Sequence, residues 1–323
     1  MKLSTALVAL AIILVASVSA DAGTWRIKPD GTGDAPTIQA GIDLAAPGDI
    51  VLLADGVYEG DGNRNIDYHG KPITVRSESG DPSTCVISVN GAGTGFLFYS
   101  GEGAGSVLKE VTIQDGLLTW GGGILCQNSS PSIVGCAFYR NMANAGGAIF
   151  CMGSAPTVTG CTFIGNWAQL AGAIFFAGPS PAVSTVTGCT FSENHSDAGG
   201  AIHCEGIALT LEKTVIAFGS AEGISCGSGG SAALTCCDVF GNAGGDWVGC
   251  IADQNNINGN FSADPMFCRR TYGDVCVNYV SPCAPGYHPY GYDCGVIGSH
   301  GVGCDHPTNA FPKTWGAIKA MYK

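Results

Sequence analysis

A repeat of about 25 residues runs from Gly121 to Asn242 and constrains the fold more than any other feature of this sequence. One set of repeat positions follows the pattern Gly-Gly-Ala-Ile-x-Cys, and its isoleucines are Ile124, Ile149, Ile174, Ile202 and Ile224. The second set follows Cys-x-Phe-x-x-Asn in its best copies, and its asparagines are Asn141, Asn166, Asn194 and Asn242. A fixed period of this length predicts a solenoid, in which each repeat forms one coil stacked on its neighbours.

Cysteines recur in both sets of repeat positions. Each lies two residues from an apolar position of the same strand and therefore on the same face. We interpret them as small buried apolar residues that stack from coil to coil. Adjacent coils lie about 4.8 Å apart, so a disulfide between neighbours such as Cys126 and Cys151 remains an alternative. The set consists of Cys126, Cys136, Cys151, Cys161, Cys189, Cys204, Cys226 and Cys237.

The repeated asparagines predict a hydrogen-bonded ladder. A side-chain amide at the same turn of every coil can bond the amide or the backbone of the next coil, with a break where Gly219 replaces asparagine. The paired glycines are expected where the backbone needs a positive φ or where two coils approach closely.

The first 20 residues have the composition of a secretory signal peptide. Lys2 precedes an apolar run from Ala6 to Val18, and small residues precede the predicted cleavage site after Ala20 or Ala22. No later segment reaches 18 consecutive apolar residues, so we predict a secreted or cell-surface protein without a transmembrane segment in the mature chain. The net charge of −12 argues against nucleic acid and anionic membranes as partners.

The chain divides into a signal peptide (1–20), an N-terminal cap (21–49), the solenoid of stacked coils (50–260) and a cysteine-rich C-terminal cap with a tail (261–323). Ile38, Ile42 and Ala45 have helical spacing, with Thr37 or Asp34 as N-cap, which predicts a short capping helix. We expect roughly eight or nine coils after it.

The aperiodic C-terminal region carries six cysteines that predict disulfide staples in a loop-rich cap over the last coil. The segment Trp315–Lys323 is expected to form a short helix packed on that cap, or to serve as a recognition tail for export. The six cysteines are Cys250, Cys268, Cys276, Cys283, Cys294 and Cys304.

Residues from Gly31 to about Asn242 resemble right-handed parallel β-helix proteins of the pectate-lyase-like superfamily. The matching motifs are Thr37-Ile38-Gln39 of the helix, Gly48-Asp49, and the turn Gly56-Val57-Tyr58. The Gly-Gly-Ala-Ile and Phe-x-x-Asn units also resemble the repeats of polymorphic outer-membrane proteins, which are surface-exposed β-helical adhesins. These resemblances imply an all-β, single-stranded right-handed parallel β-helix. They do not select an activity, because the superfamily includes lyases, hydrolases, esterases and inert solenoids.

Charged residues are scattered through the repeat. Polysaccharide lyases on this fold need a basic residue near the scissile bond and acidic residues that hold calcium, and hydrolases need convergent carboxylates. The repeat region has only Arg140 and Lys213 as basic residues, and Arg140 is expected in a surface turn. Its acidic residues occupy different repeat positions: Glu193, Asp197, Glu205, Glu212, Glu222, Asp238, Asp246 and Asp253. We therefore assign no catalytic residue.

Two patterns in the sequence contain residue types that bind metal ions. Glu59–Asp67 has oxygen-bearing side chains on alternate residues, as calcium loops do, but it lacks the features of an EF-hand and also matches the structural first turn of the family. His195 and His203 are eight residues apart and are expected on different sides of a coil. The prediction is a chain without a cofactor, with calcium as the alternative.

The residues that follow the ladder asparagines predict a ligand-binding surface. Met142, Trp167 and His195 occupy this position, and with Tyr139 and Phe175 they would form an aromatic strip on which sugar rings stack; ordinary loop packing is the alternative. We therefore favour a non-catalytic structural, adhesive or glycan-binding module that is monomeric and contacts polysaccharide. A carbohydrate-active enzyme, either a polysaccharide lyase or a glycoside hydrolase, is the alternative.

Overall fold

The computed structural model describes residues 22–178, 183–270 and 273–304. The predicted signal peptide (1–20) and the segment Trp315–Lys323 lie outside the described residues. The described chain forms a right-handed parallel β-helix of about nine coils, as the sequence predicted. Along the chain each complete coil contributes strands to sheets I, II, III and IV in that order, although sheet III is present in only three coils.

Four parallel sheets form the sides of the β-helix. Sheet I contains β1 (Thr24–Ile27), β2 (Ile50–Leu53), β5 (Thr74–Ser77), β8 (Val107–Lys109), β11 (Ser132–Val134), β15 (Thr157–Thr159), β19 (Val183–Thr187), β23 (Ala208–Glu212) and β26 (Ser231–Thr235). Sheet II contains β3 (Gly56–Tyr58), β6 (Cys85–Ser88), β9 (Thr112–Gln114), β12 (Ala137–Tyr139), β16 (Thr162–Ile164), β20 (Thr190–Ser192), β24 (Val215–Ala217) and β27 (Asp238–Phe240). Sheet III contains β13 (Met142–Ala145), β17 (Trp167–Leu170) and β21 (His195–Ala198). Sheet IV contains β4 (Ile66–Asp67), β7 (Phe96–Phe98), β10 (Ile124–Gln127), β14 (Ile149–Met152), β18 (Ile174–Ala177), β22 (Ile202–Glu205) and β25 (Ile224–Cys226).

The core consists of columns of identical or similar side chains that point inward. Phe138, Phe163 and Phe191 stack with ring centroids 4.8 and 4.5 Å apart and nearly parallel planes. Ile124, Ile149, Ile174, Ile202 and Ile224 are paired in register along sheet IV and are buried. Equal side chains on successive coils fill equal volumes, which explains why the repeat keeps them.

The glycines that precede each column isoleucine allow the coils to approach. A Cβ atom at Gly147 would overlap the carbonyl oxygen of Gly172 in the next coil. Gly146 needs its positive φ of 61°, and a Cβ there would overlap the Ile149 carbonyl oxygen. Ala171 occupies the equivalent position one coil later with a φ of 61°, so this coil tolerates a methyl group in the left-handed region.

The N-terminal end is closed by α1 (Ile38–Leu44). Thr37 is its N-cap and accepts a hydrogen bond from the Ala40 N–H, while Ile38 and Ile42 are buried against the first coils. Strand β1 already pairs with β2 in parallel, so the array begins inside the region predicted as the cap. The capping helix itself agrees with the prediction.

The C-terminal end is closed by a 3₁₀ helix (Gly249–Ile251), whose Ile251 is completely buried. The disulfide between Cys226 and Cys250 ties this helix to β25. Among the described residues, no helix is long and apolar enough to cross a membrane.

Residues 262–304 do not continue over the last coil but return along the outer face of sheet II. This C-terminal segment (262–304) includes an antiparallel hairpin of β28 (Phe267–Arg269) and β29 (Asp274–Val277). Ser299 donates its backbone N–H to Thr190 Oγ1 at 2.9 Å, and its hydroxyl lies 2.7 Å from Thr162 Oγ1. The disulfides lie in the C-terminal region as predicted, but most of the region covers a side of the β-helix rather than its end.

The disulfide pairs differ from the predicted set of six staples. Cys236 pairs with Cys294 and Cys268 pairs with Cys304, so with Cys226 two cysteines of the array itself enter disulfides. Cys276 and Cys283 are free thiols, which corrects their prediction as staples. Connectivity of this kind depends on the path of an aperiodic segment, which spacing alone cannot give.

The remaining cysteines of the array are free thiols, and those at the turn into sheet II form a ladder. The Cys136 N–H contacts Cys161 Sγ at 3.4 Å, and the Cys161 N–H contacts Cys189 Sγ at 3.3 Å. Thr214 continues the ladder, because its hydroxyl oxygen accepts from the Cys189 N–H. Cys126 and Cys151 are in register on sheet IV and both are free, so the disulfide considered for them does not form. Burial raises the pKa of the Cys161 and Cys151 thiols well above the usual range.

Candidate functional site

Sheet III presents an exposed row of large side chains to solvent. Met142, Trp167 and His195 are paired in register on its three strands, and Leu117 extends the row through a bridge to Met142. Met142 is 44% exposed and Leu117 is 48% exposed, while His195 is exposed and Trp167 is half-buried. We call these four residues the outer row.

A second row of polar side chains lies beside the outer row. Asn144, Gln169 and Asp197 each stand two residues after an outer-row residue and point to the same side of the sheet. Thr119 precedes them in the neighbouring coil, since its carbonyl oxygen accepts from the Asn144 N–H at 3.0 Å. All four side chains of this polar row are exposed. Together the two rows place aromatic and aliphatic surface next to amide, hydroxyl and carboxylate groups.

The asparagine ladder lies directly beneath the outer row. Asn141 Nδ2 donates to Asn166 Oδ1 at 3.1 Å, and Asn166 Nδ2 donates to Asn194 Oδ1 at 3.0 Å. The same amides donate to the Ile113 and Phe138 carbonyls. Three ladder asparagines, Asn141, Asn166 and Asn194, immediately precede outer-row residues, so a rigid buried network fixes the backbone from which the row projects.

The ladder changes form at Gly219. This residue has no amide to contribute, but its backbone N–H donates to Asn242 Oδ1 at 3.0 Å. Asn242 in turn donates to the Ile216 carbonyl and to Asp246 Oδ1. Hydrogen bonding between the coils therefore continues through the backbone at the break.

The structure does not bring Tyr139 and Phe175 into one strip with Trp167 and His195. Tyr139 lies on sheet II beneath the C-terminal segment, where Gly273 packs near its ring. Burial raises the pKa of the Tyr139 hydroxyl. Phe175 points outward from sheet IV but is only 6% exposed, because it is packed in a cluster with Ala145 and Ala171. The exposed surface is therefore narrower than the predicted strip, which also included Tyr139 and Phe175.

Sheet IV carries its own aromatic stack on the outside of the core. The rings of Trp120, Phe150, Phe175 and His203 follow one another with centroid distances of 5.1, 5.1 and 5.2 Å. Trp120 is 46% exposed and ends the stack next to sheet III. Sequence reasoning missed Trp120, although it stands 25 residues before Ala145, its partner in the next coil.

His195 and His203 belong to different sheets and do not form a pair. His203 is buried, its Nδ1 lies 2.7 Å from Ser225 Oγ, and its ring stacks on Phe175. Burial lowers the pKa of His203, with Glu205 acting in the opposite direction. Among the two, only His195 faces solvent on the candidate site.

Several charged residues of the array have local partners. Arg140 contacts Asp115 with Nε and Nη2, both at 3.1 Å, and Glu193 pairs with Arg270 of the C-terminal segment at 3.0 Å. Burial raises the pKa of Asp115, and Arg140 opposes this shift. Asp238 is completely buried on sheet II, and Cys283 Sγ lies 3.3 Å from its Oδ2.

Within the segment Glu59–Asp67, Asn63 and Asp67 are buried, whereas Glu59, Asp61 and Asn65 are exposed. Asn63 Oδ1 accepts from the Ile38 N–H at the start of α1, and Asn65 Oδ1 accepts from the Thr94 N–H. Asp61 pairs with Arg64 at 2.6 Å. Within residues 22–178, 183–270 and 273–304, no group of three or more His, Cys, Asp or Glu side chains is placed to hold a metal ion.

Comparison with known proteins agrees with the geometry of the coils. A family model described as a right handed beta helix region matches residues 94–262. The chain belongs to the right-handed β-helix family. This match covers the whole of sheet III, so the candidate site lies on the β-helix proper.

Two solved structures are similar to this chain at low sequence identity. It is similar to pectate lyase Pel9A at 16% sequence identity and a TM-score of 0.48, over 69% of this chain and 65% of that one. It is similar to pectin methylesterase from carrot at 11% identity and a TM-score of 0.33, over 77% of this chain and 79% of that one. The chain thus spans about two thirds of the length of the pectate lyase. A search of curated proteins found no match.

Proposed function

We propose that this protein is a secreted or cell-surface β-helix that binds glycans without cleaving them. The observation that carries the proposal is the pair of solvent-facing rows on sheet III. The outer row supplies apolar and aromatic surface, and the polar row beside it supplies hydrogen-bonding groups. Sugar rings offer the same combination, since their C–H faces pack on aromatic rings while their hydroxyls bond amides and carboxylates.

The spacing of the rows suits an extended chain. Successive outer-row residues stand on adjacent coils about 4.8 Å apart, so the four residues from Leu117 to His195 span about 14 Å along the axis. A short oligosaccharide segment lying along the axis would contact several of them at once. Because the ladder beneath already fixes the backbone, little ordering is required on binding.

The test compares binding of the full chain and its variants to an array of neutral and acidic oligosaccharides. Trp167→Ala removes the largest ring of the outer row and should weaken binding at least about fivefold, which corresponds to about 1 kcal/mol of lost stacking. Met142→Ala should weaken binding less. Met152→Ala is the matched control, because Met152 is 47% exposed but lies on sheet IV.

Two outcomes would refute this proposal. One is that the wild-type chain binds no glycan on the array. The other is that the wild-type chain binds a glycan and that Trp167→Ala binds it equally well. Incubation with polyuronates and neutral polysaccharides is the companion assay, and release of new reducing ends would favour the carbohydrate-active enzyme instead.

A further inference from the structure

The outer face of sheet I carries a regular grid of hydroxyl groups. Thr157 is paired in register with Thr185, which is paired with Thr210, and all three point outward. A second row lies two residues further along the strands. In this row Thr159 is paired with Thr187, Thr187 with Glu212, and Glu212 with Thr235. We call these six threonines the threonine face. They occupy two rows on four adjacent strands, β15, β19, β23 and β26.

The six hydroxyls have no side-chain hydrogen bond within the part of the chain that the structure describes. Ser132 of the preceding strand differs, because its hydroxyl donates to the Ala104 carbonyl at 2.9 Å. Each free threonine hydroxyl therefore offers one donor and two acceptor positions to a ligand. Threonine is also stiff at χ1, so the grid keeps its geometry without much loss of entropy on binding.

The composition of this face specifies a neutral ligand. Its outward positions on β15 to β26 hold threonine, Val183, Ala208, Ser231 and Ala233, and a single charged side chain, Glu212. With no aromatic ring among these positions, the ring stacking available on sheet III is not available here.

The grid spacing is close to that of ordered water. Hydroxyls of one row repeat about every 4.8 Å across the strands, and the two rows are about 6.7 Å apart along them. Tetrahedral hydrogen bonding with an O–O distance of about 2.75 Å places second-neighbour water oxygens about 4.5 Å apart. A row of threonine hydroxyls can therefore replace alternate oxygens of a water lattice with a mismatch of about 0.3 Å per step.

We propose that the threonine face binds the surface of ice. A hydroxyl has the donor and acceptor capacity of a lattice water molecule, and the γ-methyl groups fill the spaces between the hydroxyls with apolar surface. Single exposed hydrogen bonds contribute little in liquid water, because they replace bonds to water of equal quality. A grid of hydroxyls gains affinity from a ligand that is itself periodic in two dimensions, since every contact then forms in one binding event.

The experiment measures thermal hysteresis and inhibition of ice recrystallisation by the full chain. Wild-type protein should show both effects. Thr185→Tyr places a bulky ring at the centre of the grid and should abolish them while the strand is retained, because tyrosine also favours β-structure. Circular dichroism and the melting temperature verify that the variant is folded.

Gln127→Tyr is the matched control, because it places the same ring at an exposed position on sheet IV and should leave the ice activity unchanged. Trp167→Ala should also leave it unchanged, so failure of the glycan proposal and of this one are distinguishable. The proposal is overturned if the wild type has no effect on ice, or if Thr185→Tyr retains the full effect. Retention of the wild type on crystalline cellulose or chitin that Thr185→Tyr abolishes, without any effect on ice, would reassign the face to a solid polysaccharide.

Discussion

The side-chain amide of Asn141 donates to the side-chain oxygen of Asn166, one coil further along, at 3.1 Å. Asn166 Oδ1 also accepts from the Asn141 N–H, and Asn166 Nδ2 donates to Phe138 and Asn194. Both residues are completely buried. The interaction links three coils through one side chain, so it stabilises the array directly below the proposed glycan-binding surface.

Replacement of Asn166 by alanine should strongly destabilise the protein. The Asn141 N–H and the Phe138 carbonyl would lose their partners inside the protein, and we expect a loss of about 3 kcal/mol in the free energy of unfolding. Urea denaturation followed by circular dichroism measures it. Asn144→Ala is the control, because Asn144 is exposed on sheet III and its replacement should cost less than about 0.5 kcal/mol. Equal losses in the two variants would contradict the role assigned to the ladder.

Close packing of the coils at Gly147 can be tested in the same way. Gly147→Ala places a methyl group on the Gly172 carbonyl oxygen and near the Trp167 carbonyl, so neighbouring coils must separate. We expect a loss of about 1–3 kcal/mol, as for other overpacked sites. Gly103→Ala serves for comparison, since a Cβ atom there meets nothing within 4 Å. A Gly147→Ala variant as stable as the wild type would show that this approach does not limit the residue type.

The thiol ladder predicts which replacement of Cys161 is tolerated. Thr214 already holds an equivalent position, where its hydroxyl accepts from the Cys189 N–H and donates to the Glu212 carbonyl. Cys161→Thr should therefore change stability by less than about 1 kcal/mol, whereas Cys161→Ala should cost about 2 kcal/mol through a cavity and an unpaired Cys136 N–H. Thermal melts of the two variants decide the question, and the reverse order of stability would be inconsistent with the ladder.

Asp238 should make stability depend on pH. Burial raises the pKa of this carboxyl well above its usual range in the folded protein, although the Ala263 N–H and Cys283 act in the opposite direction. The folded state therefore binds the proton more tightly than the unfolded state, whose carboxyl has a pKa of about 3.9. The resulting stabilisation is complete below about pH 3.9 and is lost as the pH rises through the folded value. Asp238 thus favours the folded state more at pH 5 than at pH 8.

Asp238→Asn removes this titration but retains the acceptor for the Ala263 N–H. The difference in urea midpoint between pH 5 and pH 8 should shrink in this variant. It should persist in Asp253→Asn, in which an exposed carboxylate is lost. An undiminished pH dependence in Asp238→Asn would show that other groups cause it.

Periodicity explains how much of the fold was accessible from the sequence. Ile149, Cys161, Phe163 and Asn166 repeat because each must match the same atom on the next coil, and this requirement fixes both their spacing and their direction. The same reasoning gave the capping helix, because Ile38 and Ile42 lie one turn apart with Thr37 before them. The buried columns of Ile149 and Phe163 are observed where the period puts them. Phe175 also obeys the period, but it is packed against Ala145 and Ala171 and does not lie in the predicted exposed strip.

Most other errors concern residues whose environment is set by aperiodic segments. Alternation places the Tyr139 side chain outside the core, but only the path of the C-terminal segment covers it. The free thiols of Cys276 and Cys283 follow from the same path, since Cys226 and Cys236 take the available partners. Trp120 was missed because its coil precedes the clear repeats, and its contact with Phe150 is visible only in three dimensions.

The contact between Thr162 and Ser299 joins residues 137 positions apart, whereas most contacts in the coils join residues about 25 apart. Because most of these contacts join one coil to the next, the coils can form one after another while the chain emerges, and each needs only its predecessor. The C-terminal segment has no surface to bind until β16, β20 and β24 are in place. We therefore expect its docking to follow the formation of these strands, and until then sheet II exposes its outer side chains to any other chain nearby.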